Sequence, residues 1–91
     1  MSIKEEQIPL KRVDSENIWG AGYDFGTKTL RVRFRNGSEY TYHNIPESEA
    51  DIILSGKRLN SEGVTEHISI GSYFNKQIVG HYEYKKSETK L

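Results

Sequence analysis

The segment Arg31–Pro46, RVRFRNGSEYTYHNIP, decides the fold of this chain. At its start, arginines alternate with apolar residues, namely Leu30, Val32 and Phe34. This period of two is typical of a strand with one buried face. Asn36-Gly37 follows and strongly indicates a hairpin, because both residues tolerate a positive φ. The segment therefore predicts two antiparallel strands, the second over residues 38–43.

The register of this hairpin decides what its tyrosines do. A two-residue turn places Arg33 opposite Tyr40 and Arg31 opposite Tyr42, on the face away from the apolar residues. A three-residue turn with a bulge pairs Phe34 with Ser38 instead, and the tyrosines then join the apolar face. A shift of one residue moves every side chain to the other face. The Asn-Gly dipeptide favours the first register.

The flanking sequence adds one strand and two helices. Residues 17–24 predict a strand that precedes the hairpin. Pro46 suits the first position of a helix that extends to residue 55, since its missing N–H is not needed there. Ser69 predicts the cap of a second helix over 71–82, in which apolar residues recur every fourth position, at Phe74, Ile78 and Tyr82.

Strands followed by helices indicate an α+β fold. We predict a three-stranded antiparallel β-meander with two C-terminal helices packed on its apolar face. Residues 1–12 are predicted to be a flexible arm, with at most a short edge strand near Ile8 and Leu10, and residues 83–91 a polar tail. The second face of the sheet is then open to a ligand.

Composition narrows the classes of function. The chain has 91 residues, which fits one domain, and 13 basic residues balance 13 acidic ones. A general nucleic-acid binder usually has a basic surplus. No cysteine is present, and no apolar run is long enough to span a membrane. A cytoplasmic location is expected, and a domain this small would gain stability from a homo-oligomer or a protein partner.

The pattern of residues resembles a known family. It comprises Val13-Asp14-Ser15, Gly22-Tyr23-Asp24, the alternation from Leu30 to Phe34 with Gly37, Tyr40 and Tyr42, then Ile45-Pro46, and finally Ser69-x-Gly71-x-Tyr73-Phe74-Asn75-x-x-Ile78 with Tyr82. This resembles the KTSC domain, a short module named after the C-terminus of some lysyl-tRNA synthetases. The resemblance covers residues 13–82, and it implies the fold predicted above.

What the resemblance implies about activity is less specific. The family also occurs as small stand-alone bacterial and phage proteins, and the attachment to a synthetase has suggested RNA binding. One departure concerns residues 57–68, where about a dozen extra residues separate the first helix from the serine–glycine segment. We expect this stretch to be a loop.

The hairpin supplies the first candidate site. In the first register, Arg31 and Arg33 flank Tyr40 and Tyr42 on the open face. This arrangement suits a nucleotide, because arginine binds phosphate bidentately and an aromatic ring stacks on a base. The alternative is structural, since arginine–tyrosine pairs across strands also stabilise sheets.

The remaining candidates lie in the C-terminal half. Ser69, Gly71 and Ser72 lie at a helix start, where free backbone N–H groups could bind an anion. Asn75 in the same helix is poorly explained by packing alone. Lys57 and Arg58 form a basic pair in the extra segment. No spacing indicates a metal site, a cofactor site or a catalytic residue.

The sequence therefore predicts a non-enzymatic binding module for a nucleotide-type ligand, either a short RNA segment or a small phosphorylated or cyclic nucleotide. A stand-alone bacterial or phage form would act by sequestering that ligand. The alternative is a protein–protein interaction module. Its anchor would be an aromatic surface patch made of Trp19, Tyr23, Tyr40 and Tyr42.

Overall fold

A computed structural model describes residues 7–87. Five antiparallel strands form one sheet in the order β1-β2-β3-β4-β7. The strands of this sheet are β1 Lys11–Arg12, β2 Ile18–Asp24, β3 Thr29–Phe34, β4 Glu39–Tyr42 and β7 Tyr84–Ser87. The predicted meander corresponds to β2, β3 and β4. The α+β class is confirmed, and the sheet has two more strands than predicted.

Two helices cover one face of the sheet, which we call the helix-side face. They are α1, Glu47–Ser55, and α2, Ile70–Gln77. The core between helices and sheet is apolar and contains Ile18, Ala21, Leu30, Val32, Tyr42, Ile45, Ala50, Ile53, Ile70, Phe74 and Ile78. The alternating residues of β3 therefore face the helices, as the sequence predicted. No helix among residues 7–87 is long and apolar enough to cross a membrane.

Local sequence sets the ends of α1. Pro46 is its N-cap residue and cannot donate a backbone hydrogen bond, while Glu47 and Glu49 in the first turn complement the helix dipole. Gly56 ends the helix in the left-handed conformation, with φ 70°, and its N–H donates to the carbonyl of Ile52. Glycine adopts this conformation without the Cβ strain of other residues.

Helix α2 begins as predicted and ends earlier. The Ser69 hydroxyl oxygen accepts a hydrogen bond from the Ser72 N–H at 3.4 Å, as an N-cap does. The helix ends at Gln77 rather than at residue 82, because Gly80 has φ 83° and the His81 N–H turns back to the Ile78 carbonyl. The predicted helix over 71–82 was therefore too long.

The turn between β3 and β4 has three residues, 35–37. The Phe34 N–H donates to the Ser38 carbonyl at 2.8 Å, and the Gly37 N–H donates to the Phe34 carbonyl at 3.0 Å. Only Gly37 has a positive φ, 94°. This is a type I turn followed by a glycine bulge, a common three-residue hairpin connection. The favoured two-residue register was therefore wrong, and the alternative register is the observed one.

Both polar ends contribute strands, of which the sequence predicted at most a short edge strand near Ile8 and Leu10. Within the predicted arm, β1 pairs with β2, and within the predicted tail, β7 pairs with β4. Both are edge strands, so each pairs with one neighbour and water solvates the backbone groups on its other side. The side chains of residues 11–12 and 84–86 are exposed, and these sequences therefore need not alternate between apolar and polar residues. The parts of the arm and tail at residues 1–6 and 88–91 lie outside the described residues.

The arm also covers part of the sheet's second face, which we call the outer face. Ile8 is buried, although it lies outside the core under the helices. The chain passes so close over Gly22 that a Cβ there would overlap the Pro9 carbonyl oxygen. The guanidinium of Arg31 donates to the Ile8 carbonyl at 2.8 Å. The outer face is therefore partly closed by residues 8–9.

The extra segment is a second hairpin rather than a loop. Its strands, β5 Lys57–Leu59 and β6 Thr65–His67, form a separate two-stranded sheet. The Asn60 side-chain oxygen accepts the N–H groups of Glu62 and Val64, and Gly63 takes φ 77°. Asparagine and glycine at these positions explain the turn. The two strands are too short to show a clear alternation of apolar and polar residues, so the sequence did not predict the hairpin.

Candidate functional site

The arginines of the hairpin lie on the outer face and are bound by a glutamate. In the observed register Arg33 pairs with Glu39, and Arg31 pairs with Thr41. The Arg31 Nε donates to Glu39 Oε1 at 2.8 Å, and the Arg33 Nη2 lies 3.2 Å from Oε2 of the same carboxylate. Glu39 is buried. The Glu39 carboxylate therefore neutralises part of the positive charge of the two arginines, which were expected to bind phosphate.

Trp19 lies on the same outer face between two arginines. The guanidinium carbon of Arg12 is 4.7 Å from its ring centroid, and that of Arg33 is 5.6 Å away. Cation–π contacts of this kind stabilise the sheet. They also occupy the ring faces that a partner would contact, so the indole is part of the sheet's own packing.

The tyrosines of β4 lie on the helix-side face, opposite Val32 and Leu30. The Tyr42 ring packs edge-on against Phe74 with centroids 5.2 Å apart, and it lies 5.4 Å from Tyr84. Tyr40 contacts Phe34 and Tyr84, each at 5.7 Å. Five rings from two strands of the meander, from α2 and from β7 therefore form one cluster.

This cluster is the floor of a groove of about 380 Å³, which we call the aromatic groove. Its lining is aromatic and polar but carries no charged side chain, and comprises Phe34, Asn36, Ser38, Tyr40, Tyr42, Phe74, Asn75, Val79 and Tyr84. Tyr42 is only 4 % exposed, whereas Tyr84 is 58 % exposed. Tyr42 is thus buried beneath the groove, whereas more than half of Tyr84 is open to solvent.

The polar rim comes from the turn and from α2. The three-residue turn presents Asn36 at one side of the groove, where its side-chain oxygen accepts the Ser38 N–H at 2.9 Å. Asn75 lies on α2 next to the buried Phe74, and its side chain is exposed. The ammonium of Lys86 is 6.0 Å from the Tyr40 ring centroid. Amide groups and one cation therefore surround the rings.

Burial governs the ionisation of two tyrosines. Desolvation raises the pKa of Tyr42 to about 12, and the neighbouring Tyr40 and Tyr84 add to this effect. Burial also raises the pKa of Tyr73 to about 12, together with the hydrogen bond that its hydroxyl donates to Glu49. Both phenols are neutral at physiological pH, so the floor of the groove carries no charge.

A larger and more polar cleft of about 690 Å³ lies at the start of α2. Its lining includes Asp14, Glu16, Ser69 and Gly71. The cleft is lined by two carboxylates and by one cation, Arg35, whose Nε donates to the Ser15 carbonyl, and the Ser69 side chain is already used as the cap. The candidate Ser69 therefore has a structural role, and it lies apart from the aromatic groove.

The basic pair of the extra segment lies on β5, away from the groove. Arg58 forms an ion pair with Glu66 at 2.9 Å, and its guanidinium carbon is 6.0 Å from the Tyr73 ring centroid. Lys57 is exposed. Arg58 therefore fastens the second hairpin to α2. Among residues 7–87, no three histidine, aspartate or glutamate side chains are grouped so that they could hold a metal ion.

The structure brings together three of the predicted site residues, Tyr40, Tyr42 and Asn75. Arg31 and Arg33 lie on the opposite face, and Lys57, Arg58 and Ser69 lie elsewhere. The sequence did not indicate the residues that lie next to these tyrosines, which are Asn36, Phe74, Tyr84 and Lys86. Tyr84 and Lys86 were overlooked because residues 83–91 were interpreted as a solvated tail. Tyr82 and Tyr84 nevertheless alternate with the charged residues Glu83 and Lys85.

The predicted aromatic surface patch is not a single surface. Trp19 lies on the outer face, whereas Tyr23 is opposite Leu30 on the helix-side face. The Tyr23 hydroxyl donates to the Ile45 carbonyl, and its ring packs edge-on against Phe25. Any protein-binding patch on the helix-side face would therefore lie on the aromatic groove, without Trp19.

Two comparisons place the chain among known proteins. Residues 14–57, which span the meander and α1, match the KTSC domain family. The crystal structure of a KTSC domain protein from Yersinia pestis has the same fold, with a TM-score of 0.69 and 24 % identity over 89 % of this chain and 99 % of that chain. No curated protein matches the chain. The resemblance stated from the sequence is confirmed, and the family match ends at Lys57, the first residue of the extra segment.

Proposed function

In this chain, which carries a KTSC domain, we propose that the aromatic groove binds a nucleobase and that the domain is a non-enzymatic binding module. The observation that carries the proposal is the ring cluster itself. A buried floor of Tyr42 and Phe74 supports a Tyr84 ring that is 58 % exposed. Ligand sites are typically concave and lined by aromatic side chains with a few polar groups, as this groove is.

The groove has the parts that recognition of a single base needs. A base stacks on an aromatic ring, and such stacking contributes roughly 1–3 kcal/mol per base. The side-chain amides of Asn36 and Asn75 offer both donors and acceptors to the edge of the base. Lys86 lies beside the Tyr40 ring and supplies a positive charge for one phosphate.

The charge distribution favours a small or single-stranded ligand. The lining of the groove is uncharged, and the ammonium of Lys86 lies 6.0 Å from the Tyr40 ring centroid. Binding to duplex nucleic acid depends on many phosphate contacts. We therefore propose a nucleotide or a short RNA segment, bound in the cytoplasm of a bacterium or of a phage-infected cell. A module of this kind acts by sequestering its ligand.

Calorimetric titration tests this proposal. The protein is titrated with the four ribonucleoside monophosphates and with four-residue homopolymeric RNAs. We expect at least one to bind, and Tyr84→Ala to weaken its affinity about 5- to 150-fold through loss of stacking. Tyr84→Phe keeps the ring and should retain the affinity. Phe25→Ala is the matched control, because Phe25 is 59 % exposed but lies outside the groove.

The outcome separates nucleotide binding from protein binding. Failure of every nucleotide and RNA to bind would contradict the proposal and would favour a protein partner anchored on the same rings. For a bound nucleotide, the logarithm of the affinity should fall with the logarithm of salt concentration with a slope of about one, since Lys86 meets one phosphate. Native mass spectrometry of the same samples gives the number of subunits.

A further inference from the structure

The second edge of the five-stranded sheet is a further binding surface. Strand β7 ends the strand order, and among residues 7–87 nothing pairs with its outer side. Tyr84, Lys85 and Lys86 are all exposed. An edge strand presents backbone N–H and C=O groups that an extended chain can pair with.

The hydrogen-bond pattern tells which residues face this open edge. In an antiparallel ladder, alternate residues exchange both backbone bonds with the neighbouring strand. The His43 N–H donates to the Glu83 carbonyl at 2.9 Å, and the Thr41 hydroxyl donates to the Lys85 carbonyl at 3.4 Å. Residues 83 and 85 therefore turn their backbone groups toward β4. The backbone groups of Tyr84 and Lys86 therefore point outward, to the open edge of the sheet.

We propose that β7 binds an extended acidic peptide of a partner protein by strand addition. The peptide would exchange backbone bonds with Tyr84 and Lys86, whose side chains lie on the helix-side face with Tyr42 and Tyr40. The residue opposite Lys86 would be acidic and the residue opposite Tyr84 apolar. The residue between them would face Lys85 on the outer face and would be acidic as well. Opposite charges across a strand pair stabilise it.

The charges disfavour one alternative occupant, a second copy paired about Lys85. If a second copy paired antiparallel through β7 so that Tyr84 and Lys86 exchange bonds, Lys85 would lie directly opposite its own equivalent. Like charges directly opposite each other destabilise a strand pair. Lysines on an edge strand block pairing with neutral or basic chains. The same lysines favour an acidic chain. The edge therefore gains specificity because it repels the wrong partners.

This surface overlaps the proposed nucleobase site at Tyr84 and Lys86, but strand addition depends on the outward backbone groups of β7 and not on stacking against the Tyr84 ring. Fluorescence anisotropy of a labelled peptide, Thr-Glu-Glu-Val-Thr, titrated with the full chain measures the affinity of the edge for an acidic peptide. A peptide of the same length in which lysines replace both glutamates is the control probe. We expect the acidic peptide to bind at least tenfold more tightly than the basic one.

Variants of β7 locate the binding to its edge. Lys86→Pro removes an outward N–H that β4 does not use, and proline is tolerated at such positions. It should weaken binding of the acidic peptide at least tenfold while circular dichroism remains native. The pair Lys85→Ala and Lys86→Ala keeps every backbone donor and should weaken binding about 2- to 30-fold. This second variant keeps the test decisive if the proline variant does not fold.

Three results would overturn the proposal. Equal affinity for the acidic and basic peptides would remove the role of the lysines. Unchanged binding by folded Lys86→Pro, or by the double alanine variant, would place the peptide elsewhere. A dimer in analytical ultracentrifugation that Lys86→Pro abolishes would show that the edge pairs with a second copy instead.

Discussion

Truncation of the buried tyrosine at the floor of the groove gives the most direct test of the structure. Tyr42 is 4 % exposed and its ring lies 5.2–6.4 Å from the centroids of Phe74, Tyr84 and Tyr40. Deleting a buried aromatic side chain costs about 3–5 kcal/mol. We expect Tyr42→Ala to lie near the lower value, about 3 kcal/mol, because the space left behind opens into the groove and water can enter it.

The predicted loss is large for a domain of this size. At about 4–8 °C per kcal/mol, a loss of 3 kcal/mol lowers Tm by about 12–24 °C. Thermal and urea denaturation followed by circular dichroism measure it. Tyr42→Phe is the matched control, since the Tyr42 hydroxyl has no hydrogen-bond partner in the part of the chain from residue 7 to residue 87. It should change the free energy of unfolding by less than about 1.5 kcal/mol.

A second control separates burial from the loss of an aromatic ring. Phe25→Ala removes a ring that is 59 % exposed and loses its edge-on contact with Tyr23, so its unfolding free energy should fall by at most about 1.5 kcal/mol. A near-native Tm for Tyr42→Ala would refute the reasoning. It would mean that the tyrosine is exposed, as the two-residue hairpin register requires, and that β4 does not face the helices.

Three other changes probe different parts of the fold. Because burial raises the pKa of Tyr42 to about 12, the unfolded chain ionises first above pH 10; stability should therefore fall between pH 10 and 12, and less so in Tyr42→Phe. Gly22→Ala should destabilise the protein by at least 2 kcal/mol in urea denaturation, because its Cβ would overlap the arm's backbone, whereas Gly26→Ala has space and should be nearly neutral. Glu39→Gln should cost about 1–3 kcal/mol in the same assay by weakening its bonds to Arg31, and an unchanged urea midpoint would contradict the ion-pair assignment.

The sequence predicted the layered part of the fold well, because alternation is strongest there. Leu30, Val32 and Phe34 indicated the face that the helices cover, and Pro46 indicated the start of α1. These signals are local, and each has one physical cause, such as burial on one face or the φ of a residue. Local signals of this kind survive in the folded chain when tertiary contacts agree with them.

The sequence predicted the site less well, since the site depends on register and on long-range pairing. Asn36-Gly37 fits both a two-residue turn and a glycine bulge, and one residue of register moved Tyr40 and Tyr42 from one face to the other. Tyr84 reaches the groove only because β7 pairs with β4. The backbone bonds that hold β7 against β4 are made by the residues beside Tyr84, and composition gives no signal for such pairing.

This last pairing also determines the order in which the domain assembles. The strands β2, β3 and β4 are joined by short turns, so the meander requires little loop-closure entropy, whereas β7 joins β4 only after both helices have been spanned. An edge strand with exposed side chains opens at a lower free energy in native-state hydrogen exchange than the buried strands beside it. On a ribosome the meander and α1 are therefore able to form first, and the groove with its Tyr84 wall is completed only after residue 84 has emerged. Opening of β7 alone would remove this wall while the meander and both helices stay folded.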